Sequence, residues 1–239
     1  MTRKPLARLL LKLSGEALAG EGRFGLDATT VNFIAGEVAK LQEAGVETAI
    51  VVGGGNFIRG ESFSREGGIQ QSVADQMGML GTIMNALALQ EAIEKIGPPT
   101  RVMSAVTIQA VCEPFIRRRA IRHLEKKRIV VLAAGTGNPF FTTDTASVLR
   151  ALELQCDAIV KATKVDGVYT ADPHKSPDAT KYETLTFDEA ISKKLGVMDQ
   201  TAFTMCREHD LPVIVLSIHE PGMIAAAARG EAVGTLVCS

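Results

Sequence analysis
Short, nearly continuous apolar runs alternate along this chain with longer stretches whose apolar residues recur at helical spacing. The runs predict strands over 9–13, 48–52, 100–104, 128–132, 158–162 and 212–216. The stretches between them predict helices over 27–43, 73–96, 116–127, 143–155, 186–195 and 202–208. A strand that is apolar at successive positions has both faces covered, so the alternation predicts a mostly parallel sheet with helices on each side. No repeat, low-complexity tract or linker interrupts it, and residues 1–239 are expected to form one domain. Pro98-Pro99 reads as a helix stop. The polar segment 170–180, with Pro173 and Pro177, reads as an ordered surface excursion. The predicted helix 73–96 carries Met77, Met79, Leu80, Ile83, Met84, Leu87 and Leu89 on more than one side. It is either a central core helix or one partly covered by another subunit.

Composition narrows the class. The chain has 239 residues, 46% of them hydrophobic, and a formal net charge of −1, so no basic surface advertises nucleic acid. No apolar run has membrane length, and Lys12 interrupts the stretch after the basic N-terminus, so neither a signal peptide nor membrane association is expected. Cys112, Cys156, Cys206 and Cys238 are scattered, without metal or disulfide spacing, which points to a reducing compartment and a cytoplasmic location. His123, His174, His209 and His219 are equally dispersed, and no protein-held metal is expected.

The chemistry gathers where predicted strands end. After the run 128–132 come small and polar residues, Gly135-Thr136-Gly137-Asn138-Pro139-Phe140-Phe141-Thr142-Thr143-Asp144, leading into a helix. A strand that turns through Gly and Pro into a hydroxyl-rich helix start aims backbone N–H groups outward, as an anion site requires. An ordinary βα loop is the alternative. Lys12 ends an apolar strand before Ser14 and Gly15; it is either a snorkelling lysine or the charge of a phosphate site. Gly53-Gly54-Gly55-Asn56 follows a strand, with Arg59 beyond. Three glycines let a ligand approach the backbone, whereas a tight turn accounts for one of them well. A fourth segment, Thr163 to Pro173, presents Tyr169 and Asp172 after a glycine turn, an aromatic and a carboxylate that suit a nucleoside or merely complete the loop. Gly20 to Gly25 matches GxGxxG but begins too far beyond its strand for dinucleotide binding.

Together Lys12-Leu13-Ser14-Gly15, Gly53 to Asn56, Ala134 to Asp144 and Thr163 to Pro173 resemble the amino acid kinase family over about residues 9–236. The block Gly135 to Thr143, with Asp75 to Leu80, is similar to the members that phosphorylate UMP. The resemblance implies a three-layer αβα sandwich and transfer of the ATP γ-phosphoryl to UMP, with Mg2+ carried by ATP. It assigns ATP contacts to Lys12, Leu13, Ser14, Gly15, Gly55, Arg59, Thr163, Tyr169 and Asp172. It assigns UMP contacts to Gly54, Asp75, Thr136, Gly137, Asn138, Pro139, Phe140, Phe141, Thr142 and Thr143. Lys12 and Asp144 are the implied catalytic pair, Asp144 organising the lysine. The resemblance further implies a homohexamer activated by GTP and inhibited by UTP, with Gly20, Glu21, Gly22, Arg23, Phe24 and Gly25 as the GTP-response segment. A different acceptor within the family, such as an amino acid or carbamate, and a non-catalytic nucleotide sensor are the rival readings.

Overall fold
A computed structural model describes residues 3–22, 24–58, 68–171, 173, 175, 176 and 178–239. Among them nine strands form one sheet. They are β1 (Arg8–Leu13), β2 (Glu47–Val52), β3 (Thr100–Ser104), β4 (Glu113–Pro114), β5 (Ile129–Ala133), β6 (Ala158–Thr163), β7 (Thr184–Thr186), β8 (Val213–Ser217) and β9 (Thr235–Cys238). Their order is β4-β3-β5-β2-β1-β6-β8-β9-β7. Every pairing is parallel except β8 with β9.

The helices are α1 (Ala28–Glu43), α2 (Gln71–Ile96), α3 (Arg117–Glu125), α4 (Thr143–Leu154), α5 (Phe187–Ser192), α6 (Gln200–Glu208) and α7 (Met223–Ala228). Leu9, Leu11 and Leu13 pack in one core with residues of α1, α2 and α7. Leu10 packs in the other core, with residues of α3, α4, α5 and α6. Two cores on a twofold side-chain alternation make the expected three-layer αβα sandwich.

Local chemistry sets the helix limits. Asp27 accepts from Thr30 N at 2.7 Å and caps α1, and Thr186 and Glu189 form a reciprocal capping box on α5. Helix α2 ends at Ile96, ahead of the two prolines, with Gly97 at φ 137°. It starts at Gln71, two residues before the predicted start, which puts Asp75 inside the helix rather than at its opening. Helix α5 is shorter than the predicted 186–195, because Lys194 turns into the left-handed region (φ 51°). Strands β4, β7 and β9 and helix α7 are each too short to give a periodic signal. Met79, Ile83 and Leu89 of α2 are buried, whereas Val73, Leu80 and Met84 are 42%, 50% and 46% exposed.

Candidate active site
Strands β5, β2, β1 and β6 are neighbours and run in the same direction, so the turns that follow them meet at one edge of the sheet. Two cavities open there. One, of about 470 Å³, is bounded by the turns after β1, β2 and β5 and by α2; Asp75, Thr136, Asn138 and Thr142 are on its wall. The other, of about 700 Å³, lies against β6, Tyr169 and the segment Lys193 to Val197. Lys12 and Ser14 line both.

Lys12 shares the sheet face of Leu10, so its side chain leaves the strand toward the N-terminus of α4 and not into solvent. Its Nζ lies 2.7 Å from Asp144 Oδ1, with the two side chains only 9% and 15% exposed. The parallel register sets Lys161 of β6 directly beside Lys12. Lys161 Nζ donates to Asp144 Oδ2 at 2.8 Å and also to the Val197 carbonyl. Burial alone would raise the Asp144 pKa; the two ammonium groups outweigh it and hold the carboxyl below the usual range. Lys161 is pushed below the ordinary lysine range, first by burial and then by Lys12, with Asp144 opposing. Two enclosed cations thus share one carboxylate. Asp199 also acts on Lys161, so the lysines are partly compensated, and they stand at the junction of two cavities where the phosphates of a ligand could meet them.

Lys161, which joins this cluster and lines the second cavity, was not among the residues singled out from the sequence. The signal was the one used for Lys12, a lysine inside an apolar strand, but the register that joins the two appears only in the sheet. Asp199 was also missed. It caps α6 through Ala202 N at 2.9 Å and accepts from the hydroxyls of Thr142 and Thr145, tying α6 to the start of α4.

Gly53, Gly54 and Gly55 all border the 470 Å³ cavity, and packing constrains two of them as well. A Cβ on Gly53 would lie 2.8 Å from Gly15 N, and one on Gly54 would run into the Gly78 carbonyl of α2. Close packing between turns and helix therefore accounts for two of the three glycines without any ligand. Gly15 is equally constrained, since its Cβ would lie 2.5 Å from Asn56 Oδ1. Ser14 caps the short 3-10 turn Gly15–Leu18 by accepting from Ala17 N at 3.3 Å.

Gly15, Gly54, Gly55, Asp75, Thr136, Asn138, Phe141, Thr142 and Thr143 border the 470 Å³ cavity, while Thr163 and Tyr169 border the other. Gly15 and Gly55, expected at ATP, thus stand with the expected UMP residues. Leu13 is wholly buried, so it offers only its backbone. Gly137, Pro139 and Phe140 are outside the lining; Phe140, 69% exposed and in the left-handed region (φ 69°), instead donates its N–H to Asp75 at 2.8 Å. Arg59, Asp172 and Arg23 lie outside the described residues. Gly20, Glu21, Gly22 and Phe24 border a separate cavity. Gly25 is tied to Asn56 by backbone and side-chain hydrogen bonds of 2.9 and 2.6 Å.

No group of three His, Cys, Asp or Glu that could hold a metal exists among the described residues. Asp144 Oδ1 has the Lys12 ion pair but no hydrogen bond of good geometry. That oxygen is enclosed and already paired with an ammonium, so a magnesium ion here would be held chiefly by the phosphates and waters it arrives with. Cys156 and Cys206 are buried, and burial pushes each thiol up to about 12, so neither is a ready nucleophile. No described helix is long and apolar enough to cross a membrane.

Residues 7–217 match the amino acid kinase family. A uridylate kinase of Paramagnetospirillum magneticum is 53% identical over 97% of this chain and 96% of its own length. One of Dichelobacter nodosus is 55% identical over 96% and 95%. Among solved structures, the UMP kinase of Bacillus anthracis aligns with a TM-score of 0.95 at 40% identity, over 98% of this chain and 97% of that one. The UMP kinase of Ureaplasma parvum gives 0.91 at 33%, over 100% of each.

Proposed function
This chain belongs to the amino acid kinase family, and from that premise we propose that it is a nucleoside monophosphate kinase that transfers the γ-phosphoryl of ATP to UMP. The observation that carries the reading is the pair of cavities that meet at Lys12, beside a buried cluster of two lysines and one carboxylate. UMP occupies the cavity beside Asp75, with its ribose on that carboxylate and its phosphate toward Lys12. It is held further by Gly54 and the 136–143 turn. ATP occupies the cavity beside Tyr169, with Thr163, Tyr169, Asp172 and the Leu13 backbone toward the nucleoside. Lys12, Ser14, Gly15, Gly55 and Arg59 face its phosphates.

A phosphate oxygen of UMP attacks the γ-phosphorus, its bond to the bridging oxygen of ADP breaks, and UDP and ADP result. Both reactants are polyanions, so positioning and charge neutralisation carry the catalysis. Lys12 and Lys161 supply that neutralisation, and Asp144 fixes where their charges sit. Asp144 is not needed as a base, because the second pKa of a phosphate monoester is about 6 and the nucleophile is already ionised. Magnesium brought with ATP would supply further neutralisation of the phosphates, with Asp144 the carboxylate at the junction.

The proposal extends to a single-domain chain in the cytoplasm, assembled as a homohexamer. The exposed Val73, Leu80 and Met84 of α2 support self-association, because a second copy would cover them. GTP activation through Gly20 to Gly25 and UTP inhibition complete it, and the bond between Gly25 and Asn56 supports a link from that segment to the site. A coupled ADP-release assay with ATP and UMP, CMP, aspartate, acetylglutamate or carbamate tests the acceptor. UMP is expected to be turned over far faster than the others. Preference for an amino acid or carbamate would place the chain elsewhere in the family, and nucleotide binding without turnover would make it a sensor.

A further inference from the structure
A network of buried, hydrogen-bonded side chains beneath the site lies outside the expected ligand contacts. Asn56 and Asn85 are buried and exchange amide hydrogen bonds of 2.9 and 2.7 Å. Asn85 also donates to the Gly53 carbonyl at 2.7 Å. One turn earlier on α2, buried Thr82 accepts from Ala134 N at 2.7 Å and donates to the Met79 carbonyl at 2.6 Å. Ala134 opens the 136–143 turn from the left-handed region, at φ 61°. Thus two side chains of one helix hold the turn after β2 and the turn after β5.

We propose that Thr82 and Asn85 are positioning residues that fix the spacing between these two turns, and so between acceptor phosphate and Lys12. The inference rests on the phosphotransfer reading. Each buried group has its partners satisfied, so the network has one arrangement and little tolerance for another. A helix is stiff over one turn, which makes Thr82 and Asn85 a fixed ruler between the strand ends. A misplacement of about 1 Å between reacting groups is enough to cost on the order of 10²-fold in rate. Asn56 completes the frame by fastening Gly25 to the same amide pair.

The test compares full-length variants in the ADP-release assay, with circular dichroism to establish folding. Thr82→Val removes the hydroxyl and keeps the shape; it is expected to lower kcat about tenfold, with the KM for UMP changed less than about twofold. Thr82→Ser should restore kcat to within about twofold of the parent. Asn85→Asp keeps the shape but loses the donor to Gly53, and should also lower kcat in folded protein. Thr100→Val deletes a buried hydroxyl far from the site, one that donates to the Pro98 carbonyl, and should lower the melting temperature while leaving kcat intact. If Asn85→Asp does not fold, the Thr82 series decides. Thr82→Val with parental kcat and only a lower melting temperature would overturn the proposal, as would an equal kcat loss in Thr100→Val. A parent inactive on UMP would sink the acceptor assignment instead, and the same comparison would then be run on whichever acceptor the panel selects.

Discussion
The cavity beside Asp75 is walled by turns fastened to helix α2, whereas the cavity beside Tyr169 is walled in part by a surface excursion whose described side-chain pairs are largely local. On the first side Thr82, Asn85 and Asp75, all on α2, bond Ala134 N, the Gly53 carbonyl and Phe140 N. On the second side Tyr169 donates to Asp166 at 2.6 Å, Lys181 pairs with Asp166 at 2.7 Å, and Thr170 and Thr180 bond one another. Its described bonds to the sheet include those of Val165 with Thr163 of β6 and those of Val168 N and the Tyr182 carbonyl with Thr235 of β9. The lesson is one of division of labour. A frame of buried bonds has its effect in the transition state and therefore in kcat, whereas local surface pairs chiefly set how well a nucleotide is held.

The largest effect is expected at the junction of the two regions. Lys12→Met should leave the fold intact and lower kcat by about 10²-fold or more, the loss of one preorganised charge. Turnover near the parental rate in the folded variant would break the account at its centre. Next, on the framed side, Asp75→Asn should raise the KM for UMP about tenfold through loss of a charge-assisted bond, with the KM for ATP nearly unchanged. Equal changes in both constants would mean that Asp75 only shapes the Phe140 turn.

A smaller, pH-dependent effect belongs to Lys161. Its positive charge is present below its pKa and is lost as pH rises through it, and that pKa is held below the ordinary lysine range. The kcat profile should therefore fall on its alkaline side earlier than a free lysine would dictate. In Lys161→Arg, if the variant turns over, the fall should move to higher pH, because a guanidinium stays charged. An unmoved alkaline limb would assign the titration to another group. The smallest effect is expected on the loose side: Asp166→Asn should raise the KM for ATP by about threefold, the worth of one partly exposed ion pair, and leave kcat unchanged. A loss of kcat there would erase the contrast between the two cavities.

The same contrast explains what sequence could reveal. The strands that reach the site are long apolar runs, so β1, β2, β5 and β6 and the turns after them were readable, and with them Lys12 and Asp144, whereas Asp75, on α2, was singled out only through the family resemblance. The partner of Lys12 across the sheet was not readable, because Lys161 lies in a different motif and only parallel register sets it beside Lys12. Asn85 was hidden for a related reason. A single amide in a methionine-rich helix has no local pattern, and its meaning comes from Gly53 and Asn56, which fold against it. Glycine was legible only in part: Gly53 and Gly54 border the cavity, but the further demand for glycine there, the close approach of Gly15 and Gly78, exists only in the fold. At the far edge β7 and β9 are three and four residues long, below what alternation can signal.

The central claim is that Lys12, Lys161 and Asp144 act as one unit on the transferred phosphoryl group. A double-mutant cycle on kcat tests it most directly, with Lys12→Met, Asp144→Asn and the two combined, each checked for folding. Members of one unit are strongly non-additive, so each single change should account for most of the loss and the double variant should fall within about tenfold of the worse single. If the two losses multiply instead, Asp144 and Lys12 act independently, and the organising role given to Asp144 is wrong.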